Sequence, residues 1–242
     1  MDLLTAWRSS ARTDTGKVRA RNEDAFLALP QRGLWAVADG MGGHRNGALA
    51  SRMIVEQLAE LPGGSDLNLR VRQLRRTLHD LNRRLTQEVT LVSGEADTVM
   101  GSTVVALLVE GDRAACVWAG DSRCYLWRSG NLYQISRDHS LYQQLIQEQQ
   151  ISPEQAAAHP SARALTRAVG ASENLVLDVV DFTVYPGDTL LLCSDGLYQN
   201  LSGASLGAAL NLPSPQLALE RLFELVLQGK ASDNLSAVVI RR

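Results

Sequence analysis

Trp35-Ala36-Val37-Ala38-Asp39-Gly40 is an apolar run that stops at an aspartate followed by a glycine. Leu191-Leu192-Cys193-Ser194-Asp195-Gly196 repeats the phrase, and Cys116-Val117-Trp118-Ala119-Gly120-Asp121-Ser122 nearly does. Short apolar runs closed by Gly and Asp read as buried β-strands. An ionised carboxylate left unpaired at the mouth of a buried strand costs several kcal/mol. No lysine or arginine adjoins Asp39 or Asp195. If these aspartates converge, something positive sits among them. Hard oxygen donors favour a divalent cation, magnesium or manganese.

Outward from these runs the pattern mixes strands and helices. Trp7 to Asp14, Ala25 to Leu29 and Leu34 to Asp39 read as strands, and Gly40 to Gly47 as a glycine-rich loop. A helix is predicted over 48–61. A longer one follows, with Leu67, Val71, Leu74, Leu78, Leu81, Leu85, Val89 and Val92 at spacings of three and four. That is one apolar stripe on an amphipathic helix. Arg70, Arg72, Arg75, Arg76, Arg83 and Arg84 are read as lying largely away from it, either as a solvated face or as a basic docking face. Strands are expected at 102–109, 113–118, 123–127 and 132–135 as an antiparallel meander, with Gly111-Asp112 and Ser129-Gly130-Asn131 as turns. The polar, Gln-rich stretch 136–170 reads as an insertion of short helices outside the sheet core. Strands at 175–184 and 189–194, helices at 202–210 and 215–227, and a strand at 235–241 complete the chain. This order predicts an α+β fold, with helix pairs on the outer faces of an antiparallel β-sandwich, rather than a doubly wound βαβ fold.

With 242 residues and 45% hydrophobic composition, the chain suits one domain with a real core. A net charge of −2 argues against a general nucleic-acid binder. Cys116, Cys124 and Cys193 are odd in number and lie in apolar runs, which points to buried thiols and a reducing compartment. The first residues lack the features of a signal peptide, and no apolar stretch approaches membrane-spanning length, so a cytoplasmic location without membrane association is expected.

Glu23, Asp24, Asp39, Asp121, Asp195 and Asp233 stand beside Asn, Gly or Ser at strand ends and turns. One Asp-Gly is most often a turn. Two that close apolar runs, with further acids in similar company, point to a ligand cluster. Glycine also lets backbone approach a ligand and offer its carbonyl. Arg19 stands four residues before Glu23. Its guanidinium suits a phosphate group, or a salt bridge with Glu23 or Asp24.

The chain resembles the metal-dependent protein phosphatases, the PPM or type 2C family, over essentially its whole length. The resemblance is carried in order by Arg19 to Asp24, Asp39-Gly40-Met41-Gly42-Gly43-His44, Gly101-Ser102-Thr103, Gly120-Asp121-Ser122-Arg123, Ser194-Asp195-Gly196 and Asp233-Asn234. It implies a four-layer αββα catalytic domain over residues 1–242, with a flap over about 136–170. It implies two core metal ions bridged by Asp39. Glu23 and the Gly40 carbonyl serve one ion, and Asp195 and Asp233 the other. Asp121 with Asp195 holds a weaker third. Asp24, with Asn234 beside Asp233, belongs to the layer behind these ligands, and Arg19 binds substrate phosphate.

The implied reaction is hydrolysis of phosphoserine and phosphothreonine monoesters by a hydroxide bridging the two ions. Phosphorylated proteins are the implied substrates, a bacterial Ser/Thr kinase the opposing partner, and a monomer the family default. Eukaryotic members carry a histidine directly after the Asp-Gly pair, whereas this chain has Met41, as bacterial members do. The leaving-group proton then comes from bound water or His44, unless His44 is a structural loop residue. His79, His139 and His159 lack metal-ligand spacing, and His139 reads as a flap anchor. Two other readings are a pseudophosphatase scaffold, which intact acids disfavour, and a small-molecule phosphatase.

Overall fold

A computed structural model of the chain describes residues 7–42, 46–64, 66–92 and 100–242, and for 88–92 the backbone only. The elements are β1 (Arg8–Asp14), β2 (Asp24–Leu29), a 3-10 turn (Pro30–Arg32), β3 (Leu34–Met41), α1 (Asn46–Ala59), α2 (Leu67–Val92), β4 (Gly101–Ser102), β5 (Val104–Glu110), β6 (Arg113–Ala119), β7 (Arg123–Arg128), β8 (Asn131–Gln134), α3 (Leu141–Glu148), α4 (Pro153–Ala157), β9 (Asp178–Thr183), β10 (Thr189–Cys193), α5 (Asp195–Tyr198), α6 (Gly203–Leu210), α7 (Pro215–Gln228) and β11 (Leu235–Arg241).

Two antiparallel sheets form. One has the order β1-β11-β10-β7-β8, the other β2-β3-β5-β6-β9, with β4 paired to β3. Alternation along β3 explains its unbroken apolar run. Trp35 and Val37 pack between the sheets with Val105, Leu107, Cys116, Cys124, Leu192 and Val238. Leu34, Ala36 and Ala38 point the other way, to Ile54 and Leu58 of α1 and Leu74, Leu78 and Leu81 of α2. On the far side Leu191, Ala237 and Val239 meet Leu206, Leu219, Leu222 and Phe223 of α6 and α7. Both faces of each sheet are thus covered, so central strands need apolar residues at every position. The layers are helix, sheet, sheet, helix, as expected for the αββα arrangement.

Three local readings are corrected. The strands from β5 to β8 are not one meander: β5 and β6 pair in one sheet, while β7 pairs with β8 and β10 in the other. The chain changes sheets at 120–122, a turn that strand propensity cannot tell from a hairpin. Gly40 and Met41 are not loop but the end of β3, held by Ser102 and Gly101 of β4. Asp195 stands just beyond the strand end, where it opens the one-turn helix α5 after Ser194. Arg70 is not on the solvent side of α2. It is buried, and its guanidinium donates to the carbonyls of Val109, Arg32 and Gly33. Its spacing from Leu67 and Leu74 does place it on the apolar stripe. The three carbonyls satisfy a buried cation that would otherwise be costly. The side chains of Val89 and Val92, read as the end of that stripe, lie outside the described residues.

Cys116, Cys124 and Cys193 are buried free thiols. Among the described residues no helix is long and apolar enough to cross a membrane.

Candidate active site

The sheet register gathers the acids. Asp24, first in β2, pairs directly with Asp39 near the end of β3. Asp195 follows β10, and Asp233 precedes β11, the strand next to β10. Four chain segments far apart in sequence therefore deliver carboxylates to one end of the sandwich. Glu23, Asp39, Gly40, Asp121, Asp195 and Asp233 all line a cleft of about 310 Å³, together with Arg19 and Asn234. Asp24 lies behind this wall, 8% exposed.

The glycine after each aspartate has a packing role. A Cβ on Gly40 would stand 2.1 Å from the Gly47 carbonyl oxygen, and one on Gly196 only 1.9 Å from that of Asn234. Neither glycine has a positive φ. What each supplies is room for a second backbone to press against the segment that carries the aspartate.

Asp39 is fixed through its backbone. Its amide donates to Thr103 Oγ1 at 3.1 Å, and its carbonyl accepts from Thr103 N at 2.9 Å and Ser102 Oγ at 3.0 Å. Thr103 Oγ1 in turn lies 2.7 Å from Ser122 Oγ, beside Asp121. Asp24 Oδ2 accepts from Ser194 Oγ at 2.7 Å, the residue before Asp195. Asn234 ties the loop that carries Arg19 and Glu23 to the start of β11. Its Oδ1 accepts from Glu23 N, and its Nδ2 donates to the carbonyls of Thr15 and Arg21, each at 2.9 Å. Arg19 donates to Asp233 Oδ2 at 2.8 Å. The expected alternative partners, Glu23 and Asp24, are therefore not its salt-bridge partners. Its nearest acid belongs to the other side of the cluster.

Electrostatics mark the cluster as unfinished by protein groups alone. Burial, then repulsion from Asp24, Asp195 and Asp121, holds the Asp39 carboxyl well above the usual carboxylate range. Burial pushes Asp24 up to about 6. Burial, then Asp195, pushes Asp121 up to about 7. Asp195 is raised by burial and by Asp233. Asp24 Oδ1 is buried with no hydrogen-bond partner among the described residues. An orphaned carboxylate oxygen among repelling acids fits a divalent cation with its water shell. Among the described residues no group of three or more His, Cys, Asp or Glu side chains is arranged to hold a metal ion by itself. An all-oxygen set that leaves room for water suits magnesium or manganese.

Several residues of the site gave no sequence signal. Arg163 and Leu165, from the stretch read as an insertion, line the cleft. Arg163 donates to Gln199 Oε1 at 2.9 Å, and Gln199 Nε2 donates to Asp195 Oδ2 at 2.8 Å. An arginine between alanines in a polar stretch has no periodicity to betray it. His139 does anchor that stretch: it stacks on Trp118 and hydrogen-bonds Gly120. His44 and Gly43 lie outside the described residues.

Residues 15–238 match the protein phosphatase 2C family. The structure of PppA, described as a key regulatory component of T6SS in Pseudomonas aeruginosa, is 43% identical with a TM-score of 0.89, over 97% of each chain. The catalytic domain of the serine/threonine phosphatase PstP in complex with two manganese ions is 36% identical with a TM-score of 0.83, over 97% of each chain. Full-length PstP of Mycobacterium tuberculosis is 38% identical across 96% of this chain, which spans only 44% of that protein's length. The chain belongs to the protein phosphatase 2C family, whose fold it has.

Proposed function

We propose that the chain is a protein serine/threonine phosphatase that hydrolyses phosphoserine and phosphothreonine monoesters at a centre of two divalent ions, manganese or magnesium. The observation that carries this reading is the convergence of Glu23, Asp39, Asp195 and Asp233 with Arg19 on one cleft. Asp39 would serve both ions, with Glu23 and the Gly40 carbonyl holding one and Asp195 and Asp233 the other. Asp121 with Asp195 would hold a weaker third. When bound, the ions supply a nucleophile from water near neutral pH and neutralise phosphoryl charge.

The chain's own residues supply the rest. Arg19 is 55% exposed at its side chain and reaches the cluster from the rim, where its planar fork suits phosphoryl oxygens. Asn234 holds the Arg19–Glu23 loop against β11, so phosphate grip and ligands share one frame. Asp24 is positioned by Ser194 to orient water behind the ligands. Met41 lines the cleft where a proton donor is absent from the sequence, so the leaving oxygen takes its proton from solvent or His44. The 136–170 stretch serves as a flap, with Arg163 and Leu165 facing the substrate.

Phosphoproteins are the substrates, and a Ser/Thr kinase supplies them. The likeness to PppA over nearly all of both chains supports a role in regulating a type VI secretion system. The test is manganese-dependent hydrolysis of a phosphothreonine peptide by the native chain and by Asp39→Asn. Activity is expected to vanish with chelator and to fall by a factor of about 100 or more in the variant. Activity that persists in chelator would sink the metal reading.

A further inference from the structure

We propose that the outer face of α2 is a docking surface for an acidic segment of the phosphoprotein substrate; that the substrate is a phosphoprotein rests on the reading above. α2 carries six arginines against Asp80 and Glu88, in a chain whose net charge is −2. Structure accounts for one of the six. Arg70 is buried on backbone carbonyls. Arg72, Arg75, Arg76, Arg83 and Arg84 are exposed. Arg83 pairs with Asp80, whereas the other four hold no carboxylate among the described residues. Arg72 and Arg75, and Arg72 and Arg76, stand at helix spacings where like charges repel and weaken the helix. The fold keeps this repulsion although a glutamate at one position would relieve it.

The stripe has a direction. From Arg72 to Arg84 it covers about 18 Å at about 1.5 Å per residue. Its beginning adjoins the far end of β5, where Leu67 N donates to Glu110 and Arg70 to Val109. Its end adjoins the segment that leads out of the flap. Asn82 accepts from Gly170 N and donates to the Ser172 carbonyl. Val169, next to Gly170, pairs with Ser102, which holds the Asp39 carbonyl. A segment lying along α2 is thereby led toward the catalytic end.

The chemistry of the face selects an acidic polypeptide. Arginine forks fit carboxylates two oxygens at a time. A helix that binds a membrane surface needs its apolar face free. In α2 that face is spent: Leu74, Leu78, Leu81 and Leu85 are buried against the sheet.

The test uses the full chain and the variant Arg72→Glu/Arg76→Glu/Arg84→Glu, whose positions are exposed and outside the cleft. Two probes are compared: a short phosphothreonine peptide, and the same peptide joined by a glycine–serine linker to a run of about eight glutamates. For the native chain the tract is expected to lower KM about tenfold. That gain is expected to disappear near 1 M salt, where the Debye length is about 3 Å. In the variant the gain is lost while the short peptide's kinetics stay unchanged. Fluorescence anisotropy of the labelled tract alone reads the surface independently of hydrolysis. The proposal is overturned if the native chain gains nothing from the tract and does not bind it, or if the gain survives charge reversal. It is also overturned if phosphatidylglycerol vesicles, and not the tract, bind in an α2-dependent way. Tract binding without hydrolysis of either peptide would strike the phosphatase reading and leave the surface standing.

Discussion

His139 accepts a hydrogen bond at Nδ1 from the Gly120 amide, 3.1 Å away, while its own amide donates to the Gly120 carbonyl at 2.9 Å. With Nδ1 an acceptor, the ring proton sits on Nε2, which faces Asp178 Oδ2 at 3.1 Å. The imidazole also stacks on Trp118, its plane 13° from the indole. The residue before Asp121 is thus clamped from both its polar groups by the first turn of the flap segment. His139→Phe keeps a ring on Trp118 and leaves the Gly120 amide buried without a partner, a loss of about 1–3 kcal/mol. The variant is expected to need more manganese for half-maximal turnover. His139→Asn, whose Oδ1 stands in for Nδ1, is expected to restore part of it. Manganese titration of turnover beside thermal unfolding checks this; equal manganese demand in all three proteins would refute the positioning role.

Divalent ions should invert the pH dependence of stability. Asp24 and Asp121 keep their protons in the folded chain to about 6 and about 7. Unfolded aspartates release theirs near about 3.9. Between these values the folded state binds more protons, so without divalent ions stability falls as pH rises from about 4 to 7. His139, lowered mainly by burial, opposes this as a single group. In chelator the melting temperature is therefore expected to fall between about pH 4 and pH 7, and in manganese that fall should shrink or reverse. Calorimetry at both conditions decides; a melting temperature that rises with pH in chelator contradicts the clustered carboxylates.

Arg19 separates charge from shape. It donates to Asp233 at 2.8 Å across the rim, with both side chains substantially exposed. Arg19→Lys keeps a cation and loses the planar fork, and Arg19→Ala loses both. KM for a phosphopeptide is expected to rise about tenfold in the lysine variant and further in alanine, with little change in melting temperature. Steady-state kinetics and calorimetry on the same preparations check it. A large stability loss with unchanged KM would make Arg19 a strut.

The arginines of α2 should divide sharply. Arg70→Met removes the donors that satisfy the Val109, Arg32 and Gly33 carbonyls and is expected to cost about 1–3 kcal/mol or more. Arg72→Met, two residues on and exposed, is expected to stay within about 0.5 kcal/mol of the native chain. Urea unfolding of the pair measures the difference.

Strand β3 was legible because burial on both faces leaves no polar position to confuse the pattern. The aspartates were legible because a charge ending such a run has no bland explanation when repeated. The sheet change before Arg123 was hidden, since a strand carries the same residues whichever sheet receives it. Arg70 was misplaced by residue type although its spacing was correct. Charge patterning assumes solvent, and the three carbonyls that replace solvent come from segments dozens of residues away. Arg163 and Gln199 were hidden for the same reason: their meaning lies in each other and in Asp195, and no local period links them.

Asn234 binds Glu23 across 211 positions, and the strand it precedes, β11, is the neighbour of β1. The ring of acids is therefore complete only once β11 has been made and placed. A nascent chain can build both hairpins β2–β3 and β5–β6 while Asp233 and Asn234 are still unmade, and such a chain lacks one acid of the cleft and leaves Arg19 unanchored. Contacts this distant also make folding slow, because loop closure precedes any reward from them. The cleft is thus incomplete until β11 is in place: placing one strand decides whether the acids and Arg19 share a frame.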